Sequence, residues 1–118
     1  MSKTVHLADS MKDITRTPAW VALQAYHRTF AERHLRDLFA ANPQRFRDFS
    51  LELDGLLLDL SKNRIDAEAM RLLRDLANEA GVEPAIARMF AGETINATEE
   101  RAVLHTALRN RSGRPVMV

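Results

Sequence analysis

Four histidines, His6, His27, His34 and His105, are the side chains of this sequence best suited to hold a metal ion or move a proton near neutral pH. His27 and His34 stand seven positions apart. On one continuous helix that is two turns and about 10 Å of rise, too far for a shared ion. No histidine or carboxylate stands four residues from either, and Glu100 near His105 completes no ligand set. The sequence contains no cysteine, which excludes disulfides, thiolate metal sites and cysteine nucleophiles. The expectation is that the histidines are partly buried with ordinary hydrogen-bond partners, and that there is no metal site.

Nucleophilic and phosphate chemistry fare no better. Serine, histidine and carboxylates all occur, yet no nucleophile elbow frames a serine, and four glycines are too few and too scattered to form a phosphate loop. Asn96-Ala97-Thr98 matches a glycosylation sequon, but its better explanation is helix capping. Catalytic, substrate-binding, cofactor-binding and metal residues are therefore expected to be absent from this chain. Arginine outnumbers lysine fourteen to three. Arg28, Arg33, Arg36, Arg45 and Arg47 flank the first helices, and Arg101, Arg109, Arg111 and Arg114 crowd the end, where planar guanidinium forks suit phosphates. Asp37, Asp48, Glu99 and Glu100 are interspersed, and the aromatics fall at inward-facing helical spacing. A solvated ion-pair surface is the simpler reading, with no nucleic-acid partner.

The frame for these residues is small. The chain has 118 residues, 46% hydrophobic and 28% charged, with seventeen basic against sixteen acidic side chains. That is one ordinary globular domain, whose net charge of +1 selects no polyanionic partner. No apolar run approaches the ~20 residues that span a bilayer, and the N-terminus lacks the apolar centre of a secretory signal. A cytoplasmic protein without membrane contact is the expectation.

Residues 1–16 show no sustained period and read as a flexible arm. Structure begins at Thr17-Pro18, a cap followed by a proline whose missing N–H costs nothing at the first helical position. Trp20, Leu23, His27 and Phe30 then form one stripe. It breaks near Glu32 to His34, because the next apolar residues, Leu35, Leu38 and Phe39, are out of register; two helices follow from that. Asn42-Pro43 repeats the cap and proline ahead of a short turn carrying Phe46 and Phe49. From Ser50 the period becomes two, and Asp54-Gly55 is a favoured hairpin turn, so 50–53 and 56–60 read as an antiparallel hairpin. A helix through Leu56, Leu57, Leu58 and Leu60 is the competing reading. Asp66 starts the next helix, stapled by Ile65 and Met70, with Met70, Leu72, Leu73, Leu76 and Ala80 as its core face and Gly81 as its end. Pro84 opens another, with Ile86, Met89 and Phe90 facing inward and Gly92 stopping it. Asn96 or Thr98 caps a last helix holding Val103, Leu104, Ala107 and Leu108. The fold class is mainly α, with about five to six helices and one small antiparallel β-hairpin.

Two strings are more specific than any composition. Arg88-Met89-Phe90-Ala91-Gly92-Glu93-Thr94-Ile95-Asn96 leads through Thr98-Glu99 into Arg101-Ala102-Val103-Leu104-His105-Thr106-Ala107-Leu108-Arg109-Asn110-Arg111-Ser112. This resembles the N-terminal region of the glucose-6-phosphate isomerase (phosphoglucose isomerase) family, in its bacterial form. Asp59-Leu60-Ser61-Lys62-Asn63-Arg64-Ile65 is similar to the family's Asp-Tyr-Ser-Lys-Asn segment, with Leu60 in place of tyrosine. Ala19-Trp20, Leu23-Gln24, Leu38-Phe39-Ala40 and Arg45-Phe46 fit in order, so the likeness runs from Pro18 to Val118.

The resemblance implies the helical N-terminal segment of a larger α/β enzyme of sugar-isomerase type, several times longer than 118 residues. Residues 17–110 are then a helical scaffold with its hairpin near 50–60, and 111–118 a truncated connection to the missing domain. The implied parent reaction is the reversible interconversion of glucose 6-phosphate and fructose 6-phosphate, in glycolysis and gluconeogenesis, without cofactor or metal. The family's glutamate base, its ring-opening histidine and lysine, and its phosphate-holding Ser/Thr loop lie beyond Val118, so none maps onto a residue here. The remainder of the isomerase chain is the implied partner, and the chain alone is expected to be inactive. A stand-alone helical module that self-associates as a homo-oligomer is the alternative, because Val103, Leu104, Leu108 and Val116–Val118 need something to bury them. An arginine-rich nucleic-acid-binding domain is the third.

Overall fold

The computed structural model describes residues 13–115. The expected arm at 1–16 lies mostly outside the described residues; within it, Ile14–Arg16 forms a single 3-10 turn. The chain divides into two compact units, Thr15–Leu76 and, among the described residues, 13–14 with 77–115.

The first unit opens with helix α1, Pro18–Phe30. The Thr17 hydroxyl accepts from the Trp20 N–H at 3.3 Å, the expected cap, and Pro18 takes the first position. The register slip ends α1 where the sequence places the break. Helix α2 begins at Leu35 and runs to Ala41, and His34 is its cap, with Nδ1 accepting from the Arg36 N–H at 3.1 Å. Asn42 then folds an Asx-turn ahead of Pro43: its side-chain oxygen accepts from the Gln44 N–H at 2.9 Å and its carbonyl from the Arg45 N–H at 3.0 Å. The one-turn helix α3, Arg45–Asp48, follows.

Strands β1, Ser50–Leu53, and β2, Leu56–Asp59, pair antiparallel, with Leu53 opposite Leu56 and Ser50 opposite Asp59. Asp54 and Gly55 both take positive φ, 48° and 81°, as a type I′ turn requires. That turn decides between hairpin and helix, because two successive left-handed residues end any right-handed helix. Helix α4, Ala67–Glu79, starts on Asp66, whose Oδ1 accepts from the Ala69 N–H at 2.9 Å. The buried apolar residues are Ala19, Phe30, Leu38, Ala69 and Leu72. Of the expected α4 face, Leu72 is buried while Leu73 and Ala80 are exposed.

In the second unit, Gly81 takes the left-handed conformation (φ 70°) and joins the end of α4 to helix α5, Val82–Phe90. The helix begins two residues before Pro84, which sits inside its first turn where no N–H partner is needed. The inward face expected for α5 is corrected: Ile86 and Phe90 are exposed, Met89 is half-buried, and no α5 residue is buried. Periodicity places side chains on one face of a helix but does not supply the surface that covers it.

The final helix expected from Asn96 or Thr98 does not form. Asn96 and Arg101 instead exchange backbone hydrogen bonds at 3.1 and 3.2 Å, Glu100 adopts a φ of 52°, and only a 3-10 turn, Ala107–Arg109, is present. The Asn96 side-chain oxygen accepts from the Thr98 hydroxyl and the Glu99 N–H, closing a local turn that competes with helix nucleation. A helix this short gains its stability from packing, and Leu104 and Leu108 are exposed.

Candidate functional site

The histidines separate. His34 is spent as a helix cap, His27 lies on α1, and His105 lies in the loop before the last 3-10 turn. All three are exposed, which corrects the expectation of partly buried imidazoles; His6 lies outside the described residues. Among the described residues no three His, Cys, Asp or Glu side chains converge as a metal site. No described helix is long and apolar enough to cross a membrane.

The polar centre of the first unit is Arg45, which sequence reasoning counted among the surface arginines. It is 1% exposed. Helix α3 turns Arg45 inward and leaves Phe46 outside, so the expectation that this phenylalanine packs inward is also corrected. The Arg45 Nε donates to the Ser61 carbonyl at 2.8 Å, and one Nη donates to the carbonyls of Asn63 and Ile65 at 2.8 and 2.7 Å. Its planar face lies over the rings of Phe49 (4.6 Å) and Phe39 (5.5 Å). The guanidinium is buried against main-chain oxygens and aromatic faces, so it is unavailable to a phosphate.

The segment that Arg45 grips is the Asp59–Ile65 string. Asp59 folds its start: Oδ1 accepts from the Ser61 N–H at 2.8 Å and from the Ser61 hydroxyl at 2.6 Å, while Oδ2 meets Lys62 Nζ at 3.1 Å. The Ser61 hydroxyl, then its N–H, then Lys62 hold the Asp59 carboxyl down at about 2. Ser61 is buried and donates its proton to that carboxylate. The carboxylate facing this serine is held at about 2, too weak a base to make it a nucleophile.

A groove of about 500 Å³ runs along α1 and α4, lined by Trp20, Leu23, Tyr26, His27, Ile65 and Leu73 among others. Tyr26, one of its lining residues, also belongs to a polar cluster with Asp66 and Arg33. The Tyr26 hydroxyl donates to Asp66 Oδ2 at 2.6 Å, and Arg33 reaches the same oxygen at 3.4 Å. Burial, and then the Asp66 carboxylate, push the Tyr26 hydroxyl up to about 12. Burial raises the Asp66 carboxyl, but the Ala69 N–H, Tyr26 and Arg33 outweigh it and leave it below the usual range. A tyrosine held neutral beside an ionised carboxylate that is already capping a helix holds the fold and carries no proton for a reaction.

Several remaining arginines are paired on the surface: Arg47 with Asp48, Arg71 with Glu68 and Asp75, and Arg88 with Glu93. These are solvated ion pairs, as the interspersed carboxylates imply.

The described residues thus define a mainly helical segment in which His34 and Asp66 cap helices, Arg45 binds carbonyls, and Arg47, Arg71 and Arg88 pair with surface carboxylates. Comparison with known proteins says whose segment it is. The family pattern described as phosphoglucose isomerase matches residues 59–118. The glucose-6-phosphate isomerase of Methylococcus capsulatus is 53% identical over 108 residues, 92% of this chain and 20% of that protein. Glucose-6-phosphate isomerase 1 of Chromobacterium violaceum is 51% identical over the same length and shares. The chain belongs to the phosphoglucose isomerase family and spans about a fifth of the length of these curated relatives.

Proposed function

We propose that this chain is the N-terminal scaffold segment of a glucose-6-phosphate isomerase, and that it is inactive by itself. The parent reaction is the reversible interconversion of glucose 6-phosphate and fructose 6-phosphate through an enediol, in the cytoplasm, with no cofactor or metal. The glutamate base, the ring-opening histidine and lysine, and the phosphate loop belong to the other four-fifths of the enzyme. Residues 111–118 are the connection toward it.

One observation carries this reading: apolar faces stand uncovered, while Arg45, Ser61, Asp59, Tyr26 and Asp66 are committed to holding the fold. Val82, Ile86 and Phe90 of α5 and Leu104 and Leu108 beyond it are exposed. Such a surface suits a cover that packs on a larger body. A nucleic-acid reading loses Arg45 to the interior and Arg71 and Arg88 to carboxylates.

The test is a coupled isomerase assay on the pure 118-residue chain, run beside the same chain co-expressed with residues of the Methylococcus relative that follow the matched segment. Turnover is expected only from the co-expressed pair. Activity of the chain alone above a contaminant control, or no recovery on co-expression of two soluble parts, overturns the proposal.

A further inference from the structure

Asp54-Gly55 is the one place in the sequence where an aspartate or asparagine precedes a glycine, and the fold sets it at the exposed tip of the β1–β2 hairpin. That pairing has a chemistry of its own. An aspartyl side chain has the length that lets the next main-chain nitrogen attack its carboxyl carbon and close a small ring. In most sequences the following side chain crowds that nitrogen, and glycine has none. The space beside Gly55 is open as well, since a Cβ built there would meet no atom within 4 Å. Among the described residues neither the Asp54 carboxyl nor the Gly55 N–H makes a hydrogen bond or ion pair. Asp59 and Asp66 differ, for Ser61 holds the one and Ala69 and Tyr26 hold the other. What protects Asp54 is the turn alone. Ring closure needs its ψ rotated away from the left-handed pair of residues, with φ of 48° and 81°. A two-stranded ribbon is marginal in water and opens first at its end, and opening frees Asp54 from a conformation that L-residues disfavour.

We propose that Asp54-Gly55 is a self-modification site at which the turn isomerises to isoaspartate, and that the change unzips β1 from β2. The Gly55 nitrogen gives up its proton and bonds to Asp54 Cγ. The carboxyl hydroxyl leaves with that proton as water, and a succinimide remains. Water then adds back to the ring. Cleavage of the new Cγ–N bond restores aspartate. Cleavage between the Asp54 main-chain carbonyl carbon and the nitrogen leaves the chain running through Cβ and Cγ, with the old carbonyl as a free carboxylate. No atom is gained or lost overall, nothing is oxidised, and water is the only co-reactant. The product carries an extra main-chain carbon between Leu53 and Leu56. A two-residue turn fixes those leucines opposite each other, and a lengthened one does not close on the same register. Helices α1 and α4 are held by their own caps and keep their hydrogen bonds. The reaction needs nothing from the rest of an isomerase, so it stands whether or not that reading does.

The test ages the 118-residue chain at neutral pH and physiological temperature, in buffer and in urea. Electron-transfer mass spectrometry maps the product, because it cleaves a Cα–Cβ bond that only a β-linked main chain contains. Isoaspartate is expected at Asp54 roughly tenfold faster than at Asp48, Asp59 or Asp66, and in buffer at no less than roughly a tenth of the rate in urea. Asp54→Asn passes through the same ring with loss of ammonia, so a freshly purified sample of that variant gains mass at this position on ageing. Hydrogen exchange of the isoaspartate-bearing chain is expected to show β1 and β2 amides exchanging as in an unfolded chain, with α4 amides unchanged. Isoaspartate confined to the urea sample, equal accumulation at the other aspartates, or no mass gain in Asp54→Asn overturns the proposal. So does a modified chain whose hairpin amides keep their protection.

Discussion

Arg45 donates through Nε to the carbonyl oxygen of Ser61 at 2.8 Å, tying α3 to the segment that leaves the hairpin. Two further carbonyls, of Asn63 and Ile65, accept from one Nη of the same guanidinium. Arg45→Met therefore strands three acceptors in the interior and is expected to lower the stability of the first unit by about 3 kcal/mol. Arg45→Lys recovers less than half of that, because one ammonium cannot span acceptors arranged around a planar fork or lie flat on Phe49. Urea denaturation of the three proteins checks the order; full rescue by lysine contradicts it.

Tyr26 is the one tyrosine of the sequence, so its ionisation is directly visible in the ultraviolet. Its hydroxyl is pushed up to about 12, against roughly 10 in an unfolded chain. The folded state holds this proton more tightly. The stabilisation is therefore complete below pH 10 and is lost as pH rises from about 10 toward 12. Tyr26→Phe is expected to cost about 1 kcal/mol at pH 7 and to abolish the part of the alkaline decline that tracks phenolate absorbance.

Asp59 gives the opposite sign. The Ser61 hydroxyl and N–H, followed by Lys62, hold its carboxyl at about 2, below the unfolded value of about 4. Its contribution is present above pH 4 and disappears as pH falls from about 4 to about 2. Ser61→Ala is expected to raise the Asp59 titration midpoint in a carbon-detected NMR experiment. An unchanged midpoint contradicts the assigned cause.

Gly55 has open space where a Cβ would sit, yet its φ is 81°. Gly55→Ala therefore meets backbone strain and no clash, and is expected to destabilise the hairpin by about 1 kcal/mol. Hydrogen exchange of the β1 and β2 amides reads this locally. Asp54→Asn, which also tolerates positive φ, is expected to leave exchange unchanged.

The local signals in the sequence were legible where they were self-sufficient. Thr17-Pro18, the slip between Phe30 and Leu35, Asp54-Gly55, Asp66 and Gly81 each act on the backbone beside them, and each structure follows from a few neighbouring residues. Legibility failed where the outcome depends on a distant surface. Ile86, Phe90, Leu104 and Leu108 show an apolar period, but nothing in that period says whether a covering surface exists. Arg45 escaped for a related reason: its type reads as surface charge, and only the return of residues 61–65 past α3 supplies three carbonyls. The string Asp59–Ile65 pointed to this place, but its likeness to a family named the segment without disclosing the cation at its centre.

The position of those carbonyls orders events in a growing polypeptide. Arg45 leaves the ribosome before each of the three carbonyls that accept from it, and these reach it only when the ribbon has closed and the stretch after it has doubled back. Dehydration of that one cation thus works as a late latch: everything from α3 to the start of α4 must be in place before it shuts, and a chain stalled short of Ile65 keeps it open.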